Sequence, residues 1–220
     1  PWWNARTHCP CTVSADSSDN IWVTSNAWSG SRLDLYLRKY NSNGELLNST
    51  QIIGTSGSGV NTGGVAIHAT TPDANDNLYF AGEFDGSFSV TINGSSQSFT
   101  YESPGEDLIV GKMDSHGNIL WIKKAEQSSQ ISKIYDIAIN GTDQIYLTGF
   151  FYATLELANT TLDAGGNSNG FLAKINSTGD WQWLKEMDCS CSVAMQSITV
   201  DVSGNLYVSG FKTSGLVTYG

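Results

Sequence analysis

The chain of 220 residues predicts an all-β fold built as an array of repeats. One line of sequence returns four times. It reads Asp19, Asn20, Ile21, Trp22, Val23, Thr24, then Asp76, Asn77, Leu78, Tyr79, Phe80, Ala81, Gly82. Its third and fourth copies are Asp143, Gln144, Ile145, Tyr146, Leu147, Thr148, Gly149 and Gly204, Asn205, Leu206, Tyr207, Val208, Ser209, Gly210. A second line lies between these copies: residues 34–44, 107–117 and 169–179 align without a gap on Lys39, Lys112 and Lys174. No window places apolar residues at helical spacing over three turns. Self-similarity at a recurring period fixes an architecture before any single residue is interpreted.

Each element follows from these lines. Taking Asn20, Asn77, Gln144 and Asn205 as equivalent, the spacings are 57, 67 and 61 residues, enough for one small antiparallel sheet per unit. The second line is a strand, a turn and a strand, the turn closing at Gly44, Gly117 and Gly179, where glycine accepts a positive φ. The strand that follows carries Trp121 or Trp183 in two of the three copies. On the Lys-bearing strand one face reads Ile109, Gly111, Met113 and Phe171, Ala173, Ile175; the other reads Leu108, Val110, Lys112 and Gly170, Leu172, Lys174. Both faces are mostly apolar, which a sheet wetted on one side would not need. The small Gly111 and Ala173 leave room for a neighbouring layer to approach. Sheets stacked on sheets of the same kind fit, as in a β-propeller or another repeat array. The expected architecture is therefore four-stranded antiparallel blades, about three full repeats with partial repeats at both ends.

The boundaries follow from one further match. Trp3, Cys9 and Cys11 have the spacing of Trp183, Cys189 and Cys191, which makes residues 1–11 the end of a preceding repeat. Repeats then run over 12–62, 63–129 and 130–191, and a further one starts at 192–220. Trp3 to Trp183 is 180 residues, or 60 per repeat. A closed propeller of about 4 to 8 blades would need roughly 240 to 480 residues at that length. The chain thus reads as a window of a longer protein.

Composition narrows the function classes. Glycine is abundant at 23 residues, proline is scarce at 4, and charged residues are 15% against about a quarter in typical domains. The formal charge is -10 and the 11 Lys and Arg are mostly dispersed. Such a surface repels phosphate backbones, so nucleic acid is not an expected partner. No apolar run reaches the roughly 20 residues of a membrane-spanning helix.

The four cysteines form two Cys-X-Cys pairs at one position of the repeat, Cys9 with Cys11 and Cys189 with Cys191. An even count beside strand ends fits disulfides and an oxidising compartment. Bonds within a pair, between pairs, or to cysteines outside the window remain open, as do a four-thiolate zinc site and free thiols. Five Asn-X-Ser/Thr sequons occur, at Asn48, Asn93, Asn140, Asn159 and Asn176. Composition alone would produce about four, and Asn is also favoured in turns for its backbone behaviour.

Three blocks resemble a known family. They are Gly82, Phe84, Gly86, Ser87, Phe88; then Asp107, Lys112, Asp114, Gly117, Trp121; then Ile137, Ala138, Tyr146, Leu147, Thr148, Gly149. In that order they are similar to the bacterial SBBP-type β-propeller repeat, with its G-x-F-x-G-(T/S)-x-x-F, D-x-F-x-x-K-x-(D/N)-x-x-G-x-x-x-W and I-A-V-D-x-x-G-N-x-Y-V-T-G blocks. The resemblance covers essentially the whole chain and implies four-stranded blades in secreted or surface-attached proteins, with no shared catalytic residue. Asn48 departs from the Trp position, Ser25 from the Gly, and His68 and Asn140 from the Asp represented by Asp16 and Asp201.

No catalytic or metal motif stands out. His8, His68 and His116 fall at different repeat phases, beside a Cys pair, at a strand end and in a turn. Glu83 and Asp85, the carboxylate pair a glycosidase could use, are expected in a loop as surface charge. Residues 73–77 and 201–205 lack the full spacing of a calcium loop and read as β-turns, with calcium the alternative. No cofactor is expected otherwise. Trp22, Tyr79, Tyr146 and Tyr207 recur in phase, as do Trp3, Trp121 and Trp183, and are expected in the core. Trp2, Trp28 and Trp181 do not recur and are the candidates for stacking on a sugar ring.

These observations point to a non-catalytic extracellular or cell-surface structural or adhesive module, including the building unit of a surface fibre. Its partners would be other copies or adjacent domains. The alternative is a propeller that binds glycans or surface proteins through its loops, among them the insertions at 54–64 and 94–105.

Overall fold

A computed structural model describes residues 12–29, 32–54, 64–100, 107–125, 127–128, 132–141, 144–189, 192–213 and 217–219. Strands dominate these residues and no helix occurs among them. The first unit pairs Val13–Ala15, Ile21–Ser29, Arg32–Tyr40 and Leu46–Gly54 in succession, all antiparallel. The second pairs Gly64–Pro72, Leu78–Asp85, Asp107–Met113 and Ile119–Lys124 in the same way. The third repeats the order with Ser132–Asn140, Gln144–Leu157, Thr160–Asn176 and Trp181–Cys189. Val193–Val200 pairs with Leu206–Lys212 in the last unit.

The insertion between second and third strands is itself a hairpin. In unit two it is Ser87–Ile92 paired with Ser95–Thr100, so residues expected to be a recognition loop are partly strand. In unit three the two strands simply run on, pairing residues 154–157 with 160–163. Each extension reaches the preceding unit: Ile53 and Gly54 pair with Ser89 and Phe88, and Gln127 and Ser128 with Glu156 and Leu155.

Six five-residue turns share one design, at 16–20, 41–45, 73–77, 114–118, 176–180 and 201–205. In each, the Asp or Asn at the first position accepts, through its Oδ1, the backbone N–H groups of the third and fifth residues. This local hydrogen bonding is what makes Asx residues turn formers. The fourth residue has positive φ, between 60° at Asp19 and Asp76 and 88° at Gly117. The two aspartates hold a conformation that L-residues other than Asn and Asp rarely enter. Asp76 also reaches the preceding unit, accepting from the Ser17 amide at 3.0 Å and the Ser17 hydroxyl at 2.7 Å.

The units pack face to face. Trp22, Leu35, Leu37 and Ile52 of unit one share a core with Leu78, Phe80, Ile109 and Met113 of unit two. The opposite face of unit two, with Tyr79, Leu108 and Val110, shares another with Ile145, Leu147 and Phe171 of unit three. Unit three then meets Ile198, Leu206 and Val208 of the last unit through Tyr146 and Trp183. Fully burying a side chain the size of Phe80 contributes about 1.5–3 kcal/mol. The first strands of successive units lie beside one another. Thr70 donates to Thr12 at 3.0 Å, and Asp136 accepts from Ser197 at 2.8 Å across two such boundaries. An all-β array with units stacked around their first strands is propeller-like.

Four glycines have roles the sequence did not predict. Gly111 lies opposite Phe80, and a Cβ there would meet the Phe80 ring at 2.2 Å. It makes room for a ring of its own sheet, not for a neighbouring layer. Gly149 lies opposite Ile134, where the first strand bulges at Tyr135; a Cβ would sit 1.9 Å from the Lys133 carbonyl oxygen. Gly82 and Gly210 face the same bulge in their units, at His68 and Gln196. The Gly of the repeated line is therefore the partner of a β-bulge. Gly149→Ala is expected to lower stability by about 2–3 kcal/mol. Gly141→Ala, whose Cβ would meet nothing within 4 Å, should change it by less than about 0.5 kcal/mol. Urea unfolding of the two variants measures the difference.

Candidate functional site

Recurring polar side chains converge first at the foot of the third strand. Lys39 Nζ lies 2.8 Å from Asp16 Oδ2 and 4.9 Å from the Trp22 ring centroid. Lys112 Nζ lies 3.2 Å from Asp73 Oδ2 and 4.7 Å from the Tyr79 centroid. All four ionic groups are buried. Burial pushes the Asp73 carboxyl up, but the Asn77 amide, backbone N–H groups and Lys112 outweigh it and hold it below its ordinary 3.8. Asp16 is held low in the same way, with Lys39 and Asn20 outweighing its burial. Burial pulls Lys112 down, yet the Tyr79 hydroxyl and Asp73 leave it raised.

The fourth strand completes this arrangement. Trp121 pairs with Lys112 in the ladder, packs edge-on to Tyr79 at 6.0 Å, and donates its Nε1–H to the Ser177 carbonyl of the next unit at 3.0 Å. Asn48, at the Trp position, pairs with Lys39 and has its Nδ2 3.5 Å from the Ser115 carbonyl. The departure from Trp keeps a donor directed to the same point of the next turn. In unit three Asn140 takes the Asp place, and Lys174 stands 5.6 Å over Tyr146 with no carboxylate partner among the described residues. Tyr207 of the last unit is 58% exposed, unlike the buried Trp22, Tyr79 and Tyr146, because no Lys-bearing third strand covers it among the described residues.

A second cluster joins units two and three. Glu83 is not in a loop: it lies in strand Leu78–Asp85 and is buried. Its Oε1 is 2.6 Å from His68 Nε2 and 3.1 Å from Lys133 Nζ of unit three, while Oε2 has no hydrogen-bond partner. His68 sits inside strand Gly64–Pro72 at the bulge, not at a strand end. Burial and the Glu83 charge raise the nearby Tyr135 hydroxyl against the opposing pull of Lys133. Glu83 and His68 provide two metal-ligating side chains, with a lysine directed at the same oxygen. No group of three His, Cys, Asp or Glu suited to a metal occurs among the described residues.

The third place is a groove repeated at the rim. About 300 Å³ is enclosed by Lys123 and Lys124 of unit two, the hairpin tip at Asn159, and Gly179, Asp180 and Trp181 of unit three. Its counterpart, about 360 Å³, lies between Thr50 of unit one, the tip at Asn93 and Gly94, and the turn of Asp114, Gly117 and Asn118. Hydrogen bonds from Thr178 and Asn176, helped by the Lys123 charge, hold Asp180 low. Trp181, the stacking candidate, is half-buried and packs against the core shared by units two and three.

Of the other sequence candidates, Trp2, Cys9, Cys11 and Cys191 lie outside the described residues, as do the side chains of Trp28, Asp85 and Cys189. Residues 73–77 and 201–205 are turns, their aspartates engaged within the turn. The Glu83 cluster left no trace in sequence, since its three members come from three strands.

Removing the Asp73 charge should blunt acid sensitivity. A carboxyl held low in the folded state contributes stability that is present above pH 3.8 and lost as pH falls through its folded value. Between pH 5 and about 2, Asp73→Asn should lose less stability than the unsubstituted protein, by urea unfolding at each pH. Lys133→Met leaves Glu83 with His68 alone and should cost about 1–3 kcal/mol at neutral pH in the same assay.

No protein-family model matches the chain. Over an alignment 177 residues long, the chain is 24% identical to "Uncharacterized WD repeat-containing protein L264" of Acanthamoeba polyphaga mimivirus. The match covers 68% of this chain and 12% of that protein's length.

Proposed function

We propose that the chain is part of a non-catalytic β-propeller-type scaffold, acting outside the cell as a structural or adhesive module and able to build a surface fibre. Its units are read as four-stranded blades, about three of them whole, with partial units at both ends. One observation carries the reading: the same face-to-face interface occurs at three successive boundaries, and the recurring polar side chains serve it. Asp16, Lys39, Asp73 and Lys112 pin strands together, and Asp76, Asn48 and Trp121 tie one unit to the next. A reaction centre would need such groups converging on a cavity. The repeat word in the mimivirus relative's name and the resemblance to SBBP-type repeats favour the same architecture. The paired cysteines favour an oxidising, extracellular setting.

A loop-borne binding site is the second reading, favoured by Trp181 beside Lys123, Lys124 and Asp180 at the rim. Electron microscopy of the protein from its native source separates the two. Filaments with a regular axial repeat are expected for the fibre unit. Discrete rings overturn the fibre and leave rim recognition, for which Trp181→Ala should abolish capture on a glycan array.

A further inference from the structure

The five sequons are not equivalent in the folded chain. Asn48 is half-buried with its Oδ1 enclosed, and its amide is turned to the Ser115 carbonyl. Asn176 Oδ1 accepts from the Thr178 amide and hydroxyl and the Asp180 amide, while its Nδ2 donates to Asp180 at 3.3 Å. Asn140 is half-buried, with its Nδ2 3.5 Å from where a Cβ on Gly204 of the next unit would sit. Only Asn93 and Asn159 are exposed, and neither side chain makes a hydrogen bond among the described residues.

These two asparagines share more than exposure. Each stands at the tip of the hairpin between second and third strands, at φ 50° and 56°. Each lines one of the two equivalent rim grooves, of about 360 and 300 Å³. A bulky polar group on either amide therefore projects into solvent with a groove beneath its first sugars, and at Asn159 Trp181 lies in that groove. At Asn48 or Asn176 the same group would break hydrogen bonds that hold a unit boundary or a turn. A polymer as large as a glycan is tolerated only at a surface position of this kind.

We propose that Asn93 and Asn159 are N-glycosylation sites and that the other three sequons stay unmodified. The donor is a sugar activated at C1 as a phosphate or pyrophosphate ester. The new bond joins C1 to Nδ2, the C1–O bond to the phosphate breaks, and the amide nitrogen gives up one proton. This inference rests on the extracellular placement proposed above. A glycan on Asn159 would cover the rim groove, so Trp181 would pack against the chain's own sugar.

The test is peptide mass mapping of the protein from its native source, before and after enzymatic release of N-glycans in heavy-oxygen water. Protease shaving of intact cells scores location separately. Sugar on the peptides of Asn93 and Asn159, each converted to heavy-labelled aspartate on release, with Asn48, Asn140 and Asn176 unlabelled, is the expected result. Ser95→Ala and Thr161→Ala, which destroy the sequons and keep asparagine at its positive φ, should each remove one glycan mass without loss of fold. A surface-exposed protein bare at both tips, or one labelled at Asn48, Asn140 or Asn176, overturns the site assignment while the extracellular reading stands. A shaving-resistant, unglycosylated protein overturns both.

Discussion

A lysine ammonium buried against an aromatic ring and a carboxylate is the interaction on which units one and two depend. In unit two, Asp73 opens the turn that follows the first strand, Tyr79 comes from the second strand, Lys112 from the third and Trp121 from the fourth. A buried ammonium without partners is costly, so a slipped register of any strand would be penalised. The pairing thus specifies register as well as contributing stability. Unit one repeats it with Asp16, Trp22 and Lys39, and Asn48 in place of Trp.

Everything outward from that point reads as a way of joining units. The face that carries Tyr79 receives the apolar face of unit three, and the Trp121 indole crosses to the following turn. Asp76 gives up the glycine expected at a left-handed position and in exchange ties the turns of units one and two. Unit three shows what happens when one member changes. With Asn140 at the Asp place, Lys174 stands farther from its ring and is only half-buried.

The repeat, the all-β class and the Asx-X-X-Gly turns were legible because they rest on local rules: alternation, turn chemistry and period. The recurring aromatics and Lys were visible as a pattern, but their contact was not, since it joins strands far apart in sequence. Gly82, Gly149 and Gly210 were visible as a repeated letter, and the bulge they face was not, because a bulge is a property of a strand pair. The misplacement of Glu83 and His68 has the same origin. Both looked solvated by their neighbours in sequence, and Lys133, which joins His68 on the buried Glu83, lies 50 residues on. Sequon spacing gave five equal candidates, and burial separates them.

The recurring Lys and Asp of units one and two act as a structural pair within the sheet. A double-mutant cycle on Lys112→Met and Asp73→Asn, with Lys174→Met and Asn140→Ala as the parallel cycle, tests it by urea unfolding at neutral pH. Coupling of about 2 kcal/mol or more is expected for the first pair and below about 0.5 kcal/mol for the second. Coupling near zero at Lys112 and Asp73, with both single variants as stable as the starting protein, would contradict it.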